Sequence, residues 1–166
     1  DGKTLWALTE EFPMPTNEVD GVLLTHSHAD HLNGLDDLRI FSHTRSADGG
    51  RTEETAGNGL CVYADSRCLA DAKKRFDYIF EPLVEGGGKP KLCFVDVAPF
   101  SVRNPVRLGA VQAVPVPLWH GHLAVTGWLL VERAADGRRH GIAYLTDCNA
   151  VPPPSLEVLA AGCDVL

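Results

Sequence analysis

Three imidazoles and one carboxylate fall within six residues, His26-Ser27-His28-Ala29-Asp30-His31, directly after the apolar run Val22-Leu23-Leu24 and Thr25. The apolar run reads as an extended strand, and Ala29 to Phe41 as a helix with Leu32, Leu35 and Leu38 on one stripe. His26 and His28 are two residues apart, so on an extended stretch both point the same way. Asp30 and His31 fall at the start of the helix. Such a strand-to-helix corner can send two imidazoles toward one ion and an Asp-His pair toward a second. Neutral imidazole and carboxylate are the donors zinc takes, and manganese or iron in sites richer in oxygen. A lone His beside an apolar run is usually a core or surface residue. Three of them with an Asp, at this spacing and in this context, point to a metal centre.

Length and composition set the class. With 166 residues the chain is expected to form one domain over residues 1–166. It is 45% hydrophobic and 22% charged, the balance of an ordinary soluble protein. A net charge of −7 disfavours a broad nucleic-acid footprint. The five cysteines are odd in number and include no C-x-x-C pair. That fits a reduced, cytoplasmic protein better than a disulfide framework. No apolar stretch is long enough to cross a membrane, so no membrane partner is expected. Asp1-Gly2-Lys3-Thr4 is not a signal peptide, and Cys163 to Leu166 reads as a strand stopping mid-run. The reading therefore expects material to be missing at both ends.

Strands are expected at Val22–Thr25, Leu60–Ala64, Leu92–Val97, Val106–Val116, Ala124–Glu132 and His140–Leu145, all rich in Val and Leu. Helices are expected at Ala29–Phe41, at Ser66–Phe80 with Asp65 or Ser66 as N-cap, and at Ser155–Ala161 with Ser155 as cap. Asp136-Gly137 reads as a hairpin turn. Ser42 to Gly59 and Glu85 to Pro90 read as loops, the first either a flap beside the site or a plain surface loop. Helices alternate with strands, which is an α/β class with helix-covered sheets.

Two later segments end strands with further donors. Pro117-Leu118-Trp119-His120-Gly121-His122 follows an apolar strand, and Ala143-Tyr144-Leu145-Thr146-Asp147-Cys148 ends another on a carboxylate. Together with THSHADHLNGLDDLR (Thr25 to Arg39), the segments PLWHG and YLTDC resemble the successive motifs of the metallo-β-lactamase superfamily, in order. GLDDLR, VYAD and Pro99-Phe100 further resemble the branch of the bacterial phosphonate-pathway cyclic phosphodiesterase. The resemblance runs from about Leu5 to Leu166.

That resemblance implies an αββα four-layer sandwich with a two-metal cleft at one edge. It implies that His26, His28 and His120 hold the first divalent ion and Asp30 and His31 the second, with Asp147 bridging both. Zinc is the expected metal and manganese the alternative. His120 is preferred to His122 because the family's ligand His directly precedes this Gly. The family's N-terminal strand with its Asp-x-Gly turn is not found upstream. Its last His ligand is expected beyond Leu166, since His140 starts a strand rather than ending one.

The chemistry implied is hydrolysis. Two divalent ions lower the pKa of a shared water toward neutrality and supply a hydroxide nucleophile. Asp30, besides ligating, could orient that nucleophile or shuttle its proton. Cys148 is not needed as a nucleophile and reads as a packed neighbour of Asp147. The expected substrate is a small phosphodiester, cyclic ones included. Arg39 is a candidate phosphate contact, with an ion pair to Asp36 or Asp37, or a solvated side chain, as the alternative. His122 is a candidate substrate contact, with a plain surface position as the alternative. The competing functions are a nuclease like the tRNA 3′-end processing enzyme, a thioesterase or lactonase of the same fold, and a non-catalytic metal-binding protein. A homodimer is compatible with all of these.

Overall fold

An apolar run without alternation suits a strand covered on both faces. Leu60 to Ala64 is such a run, and as β2 (Leu60–Ala64) it is the centre of a three-stranded parallel sheet. The structure, a computed structural model, describes residues 7, 10–11, 19–42, 59–82 and 88–166. Most of the loop expected at Ser42 to Gly59, and half of the stretch Glu85 to Pro90, lies outside the described residues. The chain divides into two units, Asp1–Asp96 and Val97–Leu166.

In the first unit, β1 (Val22–Leu23) and β3 (Leu92–Asp96) flank β2, with Val22 opposite Val62 and Leu60 opposite Leu92. β1 is shorter than the expected Val22–Thr25, although the Leu24 N–H still donates to the Tyr63 carbonyl. The helix expected over Ala29–Phe41 is three pieces: α1 (Ala29–Leu32), a 3₁₀ run Asn33–Leu38, and α2 (Arg39–Ser42). The apolar spacing explains the break. Leu32, Leu35, Leu38 and Phe41 recur every three residues, and at three residues per turn they form one straight row. All four are buried. Each contributes roughly 1.5–3 kcal/mol by burial, which outweighs the poorer hydrogen bonds of a 3₁₀ run.

β2 leads directly into α3 (Ser66–Arg75). The Asp65 carboxylate caps this helix by accepting the backbone N–H groups of Arg67 and Cys68, at 2.9 and 3.0 Å. The α-helix ends at Phe76, whose φ of −121° and ψ of 44° are not helical, and a 3₁₀ turn Asp77–Ile79 follows. Leu69, Ala72 and Cys68 join Leu24, Leu60, Val62 and the Leu32–Phe41 row in one core.

The second unit is an antiparallel sheet ordered β4 (Val106–Leu108), β5 (Val111–His120), β6 (Leu123–Arg133), β7 (Arg139–Tyr144). The strand expected as one run, Val106–Val116, is thus a hairpin. Leu108 pairs with Val111 across Gly109, whose φ of 56° supplies the turn. β5 then continues to His120 through Pro115 and Pro117. Neither proline can donate to a ladder, and both lie where β5 has outrun the short β4 and pairs only with β6. The turn at Asp136-Gly137 joins β6 to β7 as expected, with the Gly137 N–H donating to the Ala134 carbonyl.

The last helix, α4 (Pro153–Gly162), begins two residues before the expected Ser155. Proline suits this first position, since the N–H it lacks would have no helical partner there. Ser155 is therefore not the cap; it is buried inside the helix, and its hydroxyl donates to the Pro117 carbonyl at 2.6 Å. After α4 the chain runs parallel to β7, where Ile142 pairs with Val165. Val114, Val116, Leu118, Val125, Leu129 and Leu159 form the core of this unit. Among the described residues no helix is long and apolar enough to cross a membrane.

Candidate metal centre

In the first unit the chain leaves β1 extended and turns into α1 at His28, whose φ of −63° and ψ of 154° still belong to a strand. The turn gathers the imidazoles. The His26 and His28 rings lie 4.5 Å apart at 76°, and the His26 and His31 rings lie 4.2 Å apart at 40°. His26 is buried, His31 half-buried, and His28 and Asp30 exposed. His31 Nε2 stands 3.4 Å from Asp30 Oδ2. Two ligands of a tetrahedral zinc, each ~2.0–2.1 Å from the ion, would stand roughly 3.3 Å apart. Nitrogen and carboxylate donors at this spacing fit a divalent ion.

Two neighbours hold the corner. The Thr25 hydroxyl lies 3.0 Å from His26 Nδ1 and 3.4 Å from His31 Nδ1. The Ser27 hydroxyl donates to Asp71 Oδ2 at 2.6 Å, tying the residue between His26 and His28 to the middle of α3. Asp71 is 44 residues from Ser27, and nothing in the local pattern pointed to it. Replacing Ser27 with Ala should remove a charge-assisted hydrogen bond and cost about 1–2 kcal/mol of stability. Urea unfolding measures this, and an unchanged midpoint would show that the pair holds nothing.

Cys68, on the same helix, is no nucleophile. Burial, with the Asp65 and Asp71 carboxylates beside it, pushes its thiol up to about 12, so the thiolate needed for attack is absent at neutral pH. All five cysteines are free thiols.

In the second unit His120 ends β5 and Asp147 lies in the turn that follows β7. Backbone pairing draws these segments together. The Trp119 N–H donates to the Ala150 carbonyl at 3.0 Å, and the Asn149 N–H donates to the Trp119 carbonyl at 2.8 Å. The Asn149 side chain accepts the Gly121 N–H at 2.8 Å. The donor atoms of His120 and Asp147 come within 4.8 Å of each other. Asp147 has a φ of 50°, and it alone among the described non-glycine residues is left-handed. Cys148 packs against the core of its own unit.

The candidate substrate contacts are less committed to the site. The Arg39 guanidinium donates to the Gly88 carbonyl at 3.4 Å. Of the two carboxylates that were its alternative partners, Asp36 accepts the Tyr78 hydroxyl. Burial and that carboxylate push the Tyr78 phenol up to about 12. His122 sits exposed in the turn between β5 and β6.

Comparison with known proteins agrees with this donor chemistry. The chain is 28% identical to the protein described in "Crystal Structure of a New Diphosphatase from the PhnP Family", with a TM-score of 0.62 over 94% of this chain and 48% of that one. It also matches a B3 metallo-β-lactamase with an active-site glutamic acid, at 15% identity and a TM-score of 0.48, over 95% of this chain and 56% of that one. An octanoyltransferase of Porphyromonas gingivalis is 29% identical over 143 residues, 86% of this chain. The chain spans 24% of that protein's length and about half of the diphosphatase's. The family description "Beta-lactamase superfamily domain" matches residues 4–166. Metal-dependent hydrolysis is the chemistry of that superfamily, and this chain, with its mixed α/β content and two sheets, belongs to it and has the metallo-β-lactamase fold.

Proposed function

We propose that the protein is a metal-dependent hydrolase of small phosphodiesters, cyclic ones included. The observation that carries this reading is the likeness to the diphosphatase of the PhnP family, at 28% identity. We propose further that the motif residues form a two-ion centre. His26, His28 and His120 would take a first ion and Asp30 and His31 a second, with Asp147 shared between them. The order of the motifs along the chain and membership of the superfamily support this assignment. Zinc suits the imidazole-rich set best, and manganese is the alternative.

When bound, the ions polarise the phosphoryl oxygens and lower the pKa of a water toward neutrality. The chain's own residues supply the rest. Thr25 and Ser27 hold the imidazoles. Asp30 presents an exposed carboxylate at the start of α1, suited to accept a proton from the attacking water. Arg39 and His122 are the candidate contacts for a phosphate. The net charge of −7 disfavours a polynucleotide substrate and with it the nuclease reading.

Bis(p-nitrophenyl) phosphate and a pyrophosphate-bridged dinucleotide, assayed with zinc or manganese, test the proposal. Hydrolysis of either should be lost in chelator and return when metal is restored. Cleavage of thioesters or lactones, with both phosphate substrates inert, would overturn the substrate class. Inertness toward all of them at full metal loading would favour the non-catalytic reading.

A further inference from the structure

We infer that Thr25 is a positioning residue that sets the tautomer of one imidazole in each half of the metal centre. The inference rests on the ligand assignment proposed above and concerns how those ligands are held. Thr25 is buried, and its hydroxyl oxygen is within reach of His26 Nδ1 at 3.0 Å and of His31 Nδ1 at 3.4 Å. His26 is assigned to the first ion and His31 to the second.

A hydroxyl has two lone pairs and one proton. Both imidazoles can donate an Nδ1–H to the same oxygen, one to each lone pair. That arrangement puts the proton of each ring on Nδ1 and leaves Nε2 as the donor toward metal. In His31, with Nδ1 turned to Thr25, Nε2 is the nitrogen on the side of Asp30, the other proposed ligand of the second ion, 3.4 Å from its carboxylate. For His26, which is buried, the ring has little freedom to choose another arrangement. A neutral imidazole with its proton on Nε2 cannot ligate through that atom, so the tautomer decides whether a ligand is ready. Outer-shell partners of this kind tune metal affinity by about 10–100-fold. Because one oxygen serves both rings, its loss should be felt at both ions.

Thr25→Val keeps the branched shape of the side chain and removes only the oxygen. Thr25→Ser restores it. Zinc titration of the apo protein against a competing chelator should show both binding steps of the Val protein weakened about 10–100-fold, with the Ser protein close to the parent. In the apo protein, ¹⁵N spectra of the imidazoles should show His26 and His31 with the proton on Nδ1 in the parent and Ser proteins. The Val protein should show a mixture. A merely structural role would lower stability without moving the tautomers. If the parent binds zinc and the Val protein binds it equally well, or loses only one step, the inference fails while the ligand assignment stands. If the parent itself binds no zinc, the assignment fails and takes the inference with it.

Discussion

Replacing Asp147 with glycine is expected to abolish hydrolytic turnover while changing the stability of the fold by no more than about 1 kcal/mol. The two halves of this expectation have separate causes. Asp147 holds a left-handed backbone at φ 50°. That conformation costs an L-residue roughly 1–2 kcal/mol, less for Asp and Asn, and costs glycine nothing. Glycine in turn loses more freedom on folding, by about 0.4–1 kcal/mol. The terms offset. The carboxylate, by contrast, has no substitute. In the proposed centre it alone serves both ions, and a shared ligand fixes their separation, on which a two-ion mechanism depends.

Asp147→Asn completes the test. Asn tolerates the same backbone and nearly matches the shape, but it carries no charge. Both variants should be inactive in saturating zinc or manganese, with urea midpoints close to the parent's. Turnover in either one at the parent's metal content would exclude the shared carboxylate. A fold that collapses in the glycine variant would show that Asp147 serves structure instead. Strained residues cluster at functional sites, and an outlier of this kind is a motive for the experiment rather than its result.

Much of this was legible in the residues themselves, for physical reasons that differ by element. β2 was readable because a buried parallel strand is apolar on both faces. The cap at Asp65 was readable because capping is local chemistry, complete within four residues. The stripe Leu32–Leu35–Leu38 is buried as its pattern implies, and Phe41 extends it, yet the spacing of three fits a 3₁₀ run better than an α-helix. The hairpin at Gly109 was hidden by apolar residues on both sides, with a single glycine as the only signal. The start of α4 differs from the expected Ser155 because proline at the first turn sets it.

The candidate ligands announced themselves because metal donors are rare residue types at fixed short spacings. Their supports did not. Asp71 reaches Ser27 across 44 residues and Asn149 reaches Gly121 across 28, and such contacts exist only once the chain is folded. Thr25 is adjacent to the motif but reads as the last residue of a strand. Only the folded corner brings His31 back to the same hydroxyl.

A large effect on stability is expected from Gly59→Ala, at about 3 kcal/mol or more. Two costs coincide there. The backbone holds φ at 91°, where a side chain is strained by about 1–3 kcal/mol. A Cβ would also stand 2.0 Å from the Lys91 carbonyl oxygen and 2.5 Å from its carbon. That oxygen accepts the Leu60 N–H at 2.9 Å, the first rung between β2 and β3. Backbone cannot rotate away as a side-chain end can, so the strands must part, and overpacking of this kind adds about 1–3 kcal/mol. Gly137→Ala separates the two costs. Its φ is 83°, nearly the same, but nothing lies within 4 Å of the added Cβ. It should therefore show the conformational cost alone, about 1 kcal/mol. Domains of this size are stable by roughly 5–15 kcal/mol, so the Gly59 variant should fold with a clearly lowered urea midpoint. The effect should also reach the metal centre, because β2 feeds the helix whose Asp71 anchors Ser27. Equal losses for the two alanine variants would mean that the contact with Lys91 relaxes freely, and that the close approach of Gly59 to β3 does not hold the sheet.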